Sequence, residues 1–306
     1  MTDKPPLDPR LTEQRNPASA GIDQLSARQI VRLINQEDRR IAPAVGTQEE
    51  PIARAVEMAE AAFRAGGRLI YVGAGTSGRL GVLDASEMPP TYGTDPRMVQ
   101  GIIAGGYEAL LKAREGAEDR EEEGAAAMDT AEVGADDFVF GIATSGTTPF
   151  VHGALKRAKE LGARTGFLLC TEPAPWMREA YDVVVAPLVG PEVVTGSTRM
   201  KAGTATKLVL NTISTAAMIR LGKVFGNLMV DLRATNVKLR DRSERILMEL
   251  LDLDRATAHG LLERAGGKVK TALVMHWTDA DRAAAEQTLA KAGGRMGDIL
   301  KGEGRA

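Results

Sequence analysis

Arg68-Leu69-Ile70-Tyr71-Val72-Gly73-Ala74-Gly75-Thr76-Ser77-Gly78-Arg79 is the stretch that decides the fold of this 306-residue chain. The apolar run 68–72, closed by Gly73, reads as a short buried strand. The glycine-rich turn after it opens a helix expected over 77–86. The first N–H groups of such a helix have no intrahelical partner, and its dipole favours an anion. The glycines let backbone approach a ligand closely, and Thr76 and Ser77 add hydroxyl donors. The run matches G-x-G-x-x-G, but a dinucleotide site would also place an acid about 20 residues on, at the end of the next strand. That strand ends in Ile102-Ile103-Ala104-Gly105. A P-loop would follow Gly78 with Lys and Ser or Thr; here Arg79-Leu80 follows. The turn is therefore either a cradle for a simple anion or a tight structural corner.

Working outward, the runs 98–104, 137–143, 165–170 and 181–187 read as further strands. Between them, 51–66, 108–128 (with a break near Gly116), 149–161 and 201–220 read as helices. Apolar strands alternating with helices predict an α/β fold, a parallel sheet flanked by helices and joined by right-handed crossovers. Ser26 is an N-cap for a preceding amphipathic helix that begins at Ala27. Residues 1 to about 20 are polar and proline-rich and are expected to form a loosely held arm. Pro89-Pro90 is expected to stop the helix of the first turn. After Gly226 the pattern becomes all-helical, at 236–252, 254–265, 267–276 and 279–292. At ~150 residues per domain the length suits about two domains. The expected organisation is 1–50 as N-terminal arm and helix, 51–235 as the anion-binding α/β domain, and 236–306 as a helical C-terminal domain.

Composition narrows the function. The formal net charge is −2, with 39 Lys and Arg against 41 Asp and Glu, so a nucleic-acid partner is not expected. Any anionic ligand must be held by local geometry. Cys170 is the one cysteine. No intrachain disulfide can form, which fits a reducing compartment. The three histidines, His152, His259 and His276, have no ligand spacing, so no metal site is expected. The first ten residues lack the apolar core of a secretory leader. The longest apolar stretch, 208–219, is too short and too polar for a membrane span. A cytoplasmic protein is the expectation, with no membrane partner. Cys170 reads as a small core residue, and His152 as a residue on a helix surface.

Ala143-Thr144-Ser145-Gly146-Thr147-Thr148-Pro149 repeats the chemistry of the first turn: it follows a strand, opens a helix, and offers hydroxyls and glycine. Thr195-Gly196-Ser197-Thr198-Arg199-Met200-Lys201 precedes the helix at 201–220. This third cluster reads equally as N-capping by Ser197 or Thr198. Clusters at the carboxyl ends of parallel strands converge on one crevice. Together they suit one phosphate monoester better than a pyrophosphate. The candidate binding residues are Gly75, Thr76, Ser77, Gly78, Ser145, Gly146, Thr147, Thr148, Ser197 and Lys201.

The strand–Gly-x-Gly-Thr-Ser-Gly and strand–Ser-Gly-x-Thr pair resembles the sugar isomerase fold that binds phosphosugars. Longer segments sharpen the likeness: Leu83-Asp84-Ala85-Ser86-Glu87, Pro89-Pro90-Thr91-Tyr92-Gly93, Glu115-Gly116-Ala117-Glu118-Asp119, Ser197-Thr198-Arg199-Met200-Lys201-Ala202-Gly203-Thr204 and Lys223-Val224-Phe225-Gly226-Asn227-Leu228-Met229-Val230-Asp231. With Thr12-Glu13-Gln14-Arg15-Asn16, they resemble the N-acetylmuramic acid 6-phosphate etherases over nearly the whole chain. That family usually carries Arg where this chain has Thr147; Lys201 or Arg199 is the candidate to balance the phosphate charge instead.

The resemblance implies an enzyme that removes D-lactate from C3 of the sugar by elimination and then hydration, giving N-acetylglucosamine 6-phosphate. It implies no flavin, nicotinamide or metal. It assigns Glu87 as proton donor and Glu118 as base, a choice that the acidic run around Glu118 does not make by itself. The donor must stay protonated near neutral pH, which calls for an apolar or anionic surrounding. Two other readings share these loops. One is a non-catalytic phosphosugar sensor like the glucokinase regulatory proteins, which are much longer chains with two such modules. The other is an aldose–ketose sugar-phosphate isomerase, which needs one carboxylate base. The helix at 201–220 is apolar nearly all round, which predicts burial on several sides; a homodimer would supply it, and the resemblance also implies one.

Overall fold

The structure, a computed structural model, describes residues 8–112, 114–231, 237–297 and 299. Helices α1 (Ala27–Asp38), α2 (Ile41–Gly46) and α3 (Glu49–Ala65) precede the sheet. The first of them starts as its sequence predicts: Ser26 N–H donates to Gln29 Oε1 at 2.9 Å, closing the first turn. There follow β1 (Leu69–Gly73), α4 (Gly75–Tyr92), β2 (Val99–Ile103), α5 (Glu108–Leu111), α6 (Glu121–Thr130) and β3 (Phe138–Ile142). Then come α7 (Pro149–Glu160), β4 (Arg164–Leu168), α8 (Pro175–Ala180), β5 (Val183–Val185) and the long α9 (Lys201–Arg220).

The five strands of the larger sheet are parallel, in the order β2-β1-β3-β4-β5. Every residue of β1 and β3 is buried, as a sheet covered on both faces requires. On one face Ile70, Val72 and Val139 pack with Met128 of α6, Phe150, Val151 and Leu155 of α7, and Met177 of α8. The alternate residues Tyr71, Phe138 and Phe140 face the other way and meet edge-on, with ring centroids 6.3 Å and 5.8 Å apart. There Tyr71 Oη donates to Asp84 of α4 at 3.0 Å. Cys170 is fully buried beside Ala202 and Ala205 of α9, and burial pushes its thiol up to about 12.

The chain divides into two compact units. One holds the residues up to Ser86 with Arg97–Ser214, the other Glu87–Pro96 with Thr215 onward. The division falls inside α4 and inside α9. The second unit contains the short antiparallel pair β6 (Val224–Phe225) and β7 (Leu228–Met229). It also contains α10 (Val237–Leu251), α11 (Arg255–Arg264), α12 (Val269–Thr278) and α13 (Arg282–Lys291). Its core is built on α12, whose residues from Val269 to Val274 are all buried, with Leu247, Leu261, Leu262 and Ala285 around them. Among the described residues no helix is long and apolar enough to cross a membrane.

Two expectations need correction. The N-terminal segment is not a loose arm from residue 8 onward. It forms three short 3-10 turns, Leu11–Glu13, Pro17–Ser19 and Ile22–Gln24. Leu11 N–H donates to Thr171 Oγ1 at 3.1 Å, and Asn16 Nδ2 reaches Glu37 at 2.8 Å and the Pro191 carbonyl at 3.1 Å. Polar side chains that find buried partners hold a proline-rich segment as firmly as apolar ones. Residues 1–7 lie outside the described residues. Nor does α4 stop at Pro89-Pro90; it runs on to Tyr92. The two prolines cost only the bonds their missing N–H groups would make. Met88 and Tyr92, one turn apart, are both buried and hold the last turn, which closes with Gly93 N–H on the Pro89 carbonyl at 3.0 Å.

Candidate active site

The strand order sets the site. The chain leaves β1 for β2 on one side and returns to β3 on the other, so β1 and β3 are neighbours whose connections diverge. A crevice outside their carboxyl ends is the place where α/β sheets of this order bind ligands. Gly73 and Ile142, the last residues of β1 and β3, stand side by side in register. The two glycine-hydroxyl turns that follow them are therefore brought together, as the sequence predicted.

The first turn is very tight. A Cβ on Gly73 would lie 2.7 Å from Gly78 N, and one on Gly78 would lie 2.7 Å from the Gly73 carbonyl oxygen. Only glycine at both positions lets α4 begin directly on the strand. Gly75 is exposed at the helix start, Thr76 is half-buried, and Ser77 and Gly78 are buried. In the second turn Gly146 N–H donates to the Ala143 carbonyl at 2.8 Å. Thr147 is exposed, Ser145 and Thr148 are half-buried, and Thr148 with Pro149 opens α7.

His152 holds this second turn in place. Its Nε2 lies 2.9 Å from the Gly146 carbonyl oxygen, and its Nδ1 lies 2.7 Å from Tyr181 Oη. The carbonyl only accepts, so Nε2 carries the proton, and in the neutral ring Nδ1 accepts from the tyrosine. The ring sits among Phe167, Trp176 and Tyr181. It is a half-buried brace and not the surface residue expected from sequence. Its position in the first turn of α7 was the available signal.

The third cluster is built differently. The N-terminus of α9 is close to the first turn: a Cβ on Gly203 would lie 3.6 Å from Thr76 Cγ2. Its first N–H groups already have an anion. Glu192 accepts from Lys201 N–H at 3.0 Å and from Ala202 N–H at 2.9 Å. Burial pushes the Glu192 carboxyl above its ordinary value, although these two bonds pull it down. Lys201 is 1% exposed, and its ammonium lies 2.7 Å from Glu37 Oε2. Burial works to raise the Glu37 carboxyl, but the bonds from Lys201 and Asn16 outweigh it and hold it below the ordinary range. Ser197 is half-buried, and its N–H donates to the Val194 carbonyl at 2.9 Å. Glu37 and Glu192 were not singled out in sequence: Glu37 meets Lys201 across 164 residues, and Glu192 reaches the α9 N-terminus through an irregular segment with no pattern of its own.

Glu118 is exposed in the short 3-10 turn Ala117–Asp119. Gly116 before it has a φ of 76°, the left-handed bend that separates this turn from α5. Ala117 packs beside Gly105, just past the carboxyl end of β2. Glu87 is exposed on α4, twelve residues after Gly75. The two carboxylates belong to different units of the chain. Between the first turn and Glu87 lies Asp84, 2% exposed, which accepts from Tyr71 and lies 3.7 Å from Lys207 Nζ. Burial pushes its carboxyl up despite bonds from Ser214, Lys207 and Tyr71.

Relatives can be set against this geometry. The chain is 56% identical over 267 residues to the N-acetylmuramic acid 6-phosphate etherase of Gloeobacter violaceus, covering 87% of both proteins. It is 56% identical to the enzyme of that name from Rhodopirellula baltica, over 88% of this chain and 89% of the relative. The chain belongs to the N-acetylmuramic acid 6-phosphate etherase family. A third member, from Aeromonas hydrophila, is 53% identical over 88% of this chain and 90% of its own length. Residues 51–159 also match the family model of the glucokinase regulatory protein N-terminal SIS domain. A phosphoheptose isomerase from Neisseria gonorrhoeae is similar in structure, with a TM-score of 0.48 and 17% identity over 62% of this chain and 98% of that one. Membership of the etherase family fits the resemblance carried by the Asp-Ala-Ser-Glu and Pro-Pro-Thr-Tyr-Gly segments. It does not favour the sensor or the isomerase.

Proposed function

We propose that this protein is a carbon–oxygen lyase that cleaves the lactyl ether of N-acetylmuramic acid 6-phosphate, giving N-acetylglucosamine 6-phosphate and D-lactate. The observation that carries this reading is more than 50% identity to proteins named for that reaction, over nearly the whole chain. The side-by-side turns at the ends of β1 and β3 support it, since they form a cradle for one phosphate monoester. On this reading Gly75, Thr76, Ser77, Gly78, Ser145, Gly146, Thr147 and Thr148 hold the phosphosugar. Ser197 completes the crevice, and Lys201, whose N–H and ammonium are taken by Glu192 and Glu37, holds the α9 N-terminus in place beside it.

The reaction needs two proton transfers. In the open-chain aldehyde, C2–H is acidic because C1 is a carbonyl. Glu118 takes that proton, the C3–O bond breaks, and Glu87 gives a proton to the departing lactate oxygen. Water then adds at C3 of the unsaturated aldehyde, and a proton returns to C2. Each transfer contributes ~10²–10⁴-fold. Both carboxylates are exposed.

The proposal extends to the setting. The α/β domain of residues 51–235 binds the phosphosugar and residues 236–306 form a helical domain. The enzyme works as a cytoplasmic homodimer in amino-sugar catabolism and peptidoglycan recycling. The test is lactate release from N-acetylmuramic acid 6-phosphate by the purified protein without added metal or cofactor. Glu87→Gln and Glu118→Gln should each lose about 10²-fold or more while melting like wild type. Binding of the phosphosugar without lactate release would overturn the enzyme reading in favour of a sensor.

A further inference from the structure

A phosphate monoester is a dianion near neutral pH, yet the two turns that would hold it offer neutral donors: backbone N–H groups and the hydroxyls of Thr76, Ser77, Ser145, Thr147 and Thr148. Two of the cations nearest in sequence are engaged elsewhere. Arg79 follows the first turn, but its Nε donates to the Leu110 carbonyl at 3.1 Å and its Nη2 to the Ala109 carbonyl at 2.6 Å, closing the end of α5. Lys201 is buried against Glu37.

A cation does reach the second turn, from far away in the chain. Arg10 Nη1 donates to Thr147 Oγ1 at 2.9 Å across 137 residues. Thr147 Oγ1 is in turn 3.2 Å from Ser145 Oγ, so the guanidinium and the two hydroxyls form one continuous edge. Asp8 sets the orientation. Its carboxylate accepts from Arg10 Nε at 2.9 Å and 3.0 Å, and also from Nη2, which leaves Nη1 turned to the turn. Arg10 backbone N–H binds the same carboxylate at 3.0 Å. The next residues are anchored: Leu11 N–H is bonded to Thr171, and Thr12 is 2% exposed. The Arg10 side chain itself stays 33% exposed. It is fixed at its base, and at its tip Nη1 gives one N–H to Thr147 and keeps a second for a ligand.

We infer that Arg10 is the phosphate-binding cation of this site, with Thr147 and Asp8 holding its Nη1 edge over the second turn. This rests on the phosphosugar reading above and deepens it. The ligand chemistry is a phosphate monoester, which Arg recognises through charge-assisted hydrogen bonds that a neutral donor does not replace. An arginine that contacts only the phosphate, remote from C2 and C3, binds substrate and transition state alike. Its loss should therefore raise KM and leave kcat nearly unchanged.

The experiment uses the full chain. Wild type, Arg10→Ala, Arg10→Lys and the double variant Arg10→Ala/Thr147→Arg are compared for lactate release, with inhibition by inorganic phosphate and by unphosphorylated N-acetylglucosamine. Arg10→Ala should raise KM and weaken phosphate inhibition together, roughly 10- to 100-fold, the range expected for losing a hydrogen bond to a charged group. Inhibition by the unphosphorylated sugar should stay as in wild type. Arg10→Lys should recover part of the loss, and Thr147→Arg in the double variant should recover more, since it puts the cation on the turn itself. Wild-type KM and phosphate inhibition in Arg10→Ala would overturn the inference, as would equal weakening of both inhibitors. If wild type releases no lactate, the etherase reading fails on its own. The shift in melting temperature produced by inorganic phosphate then decides the inference: it stands if the shift is lost in Arg10→Ala and falls if the shift persists.

Discussion

Replacing Lys201 with Met separates a structural role from a ligand role for the one cation in the third glycine-hydroxyl cluster that is fully buried. Lys201 and Glu37 lie 2.7 Å apart, with side-chain exposures of 1% and 6%, and Asn16 donates to the same carboxylate at 2.8 Å. Removing the ammonium leaves the buried carboxylate with the neutral Asn16 donor and the exposed Arg40 guanidinium 3.9 Å away. Breaking a buried pair in this way costs about 3–5 kcal/mol. At roughly 2–4 °C per kcal/mol for a unit of this size, the melting temperature should fall by roughly 6–20 °C. The double variant Glu37→Gln/Lys201→Met removes both charges and should recover most of that loss, because no unpaired charge remains. The pH dependence follows from the direction of the Glu37 shift. Its folded carboxyl sits below the ordinary value. Its stabilisation is therefore present above the unfolded pKa and is lost as pH falls through the folded one. Urea unfolding between pH 3 and 7, run beside lactate assays at 20 °C, reads both quantities. A Lys201→Met protein that melts within a degree of wild type and shows a raised KM would refute the reasoning and place the ammonium at the phosphate.

Asp84→Asn should flatten a different pH slope. Burial raises the Asp84 carboxyl, so wild-type stability falls as pH rises from about 3.8 through the folded pKa. The asparagine keeps an acceptor for Tyr71 and carries no charge, so its advantage over wild type should grow across that window and then level off. Denaturant midpoints against pH check this; parallel curves would contradict it. Arg68→Ala should cost about 3 kcal/mol, because it takes the guanidinium, bound at 2.6 Å just before β1 and β3, from a buried Asp137 carboxylate that then keeps only backbone N–H donors. Burial opposes ionisation of Asp137, but Arg68 and the Gly134 N–H hold its carboxyl low, so the wild-type advantage should fade only below pH 4. His152→Phe keeps the ring packing but leaves Gly146 and Tyr181 without their partner. It should cost about 1 kcal/mol in urea unfolding and raise KM more than it lowers kcat.

The parts of the fold that were legible in sequence are those fixed by local physics. Five buried apolar runs, each closed by a turn, give five parallel strands, and the helix expected at 201–220 is the observed α9 (Lys201–Arg220). The errors have local causes that tertiary packing overrode. Pro89-Pro90 is a stop signal by backbone chemistry, but Met88 and Tyr92 gain more from burial than the helix loses in two hydrogen bonds. The N-terminal segment is proline-rich, but Asn16 and Leu11 N–H find partners 175 and 160 residues away. The β6–β7 hairpin was there to be read: Gly226-Asn227 between two apolar pairs is a two-residue hairpin turn. Its strands are two residues long, too short for alternation to show.

The site divides along the same line. The chemistry of each turn is local, because a glycine that admits the backbone and a hydroxyl that donates are properties of single residues. What joins the turns is not local. Their adjacency comes from the order β2-β1-β3, which no local pattern fixes: right-handed crossovers set which face each helix covers, not which strands are neighbours. Charge is the least local property of all. The sequence puts Arg79, Arg199 and Lys201 beside the glycine clusters, and proximity along the chain suggests that one of them meets the phosphate. In the folded chain Arg79 closes a helix and Lys201 closes an ion pair, while the guanidinium at the second turn comes from residue 10. A long flexible cation goes to whichever acceptor the fold brings within reach, and carboxylates such as Asp8 and Glu37 settle which one. The acidic partners, not the basic residues, therefore determine where positive charge is left for a ligand, and neutralising Asp8 should alter phosphate affinity without touching any residue of the two turns.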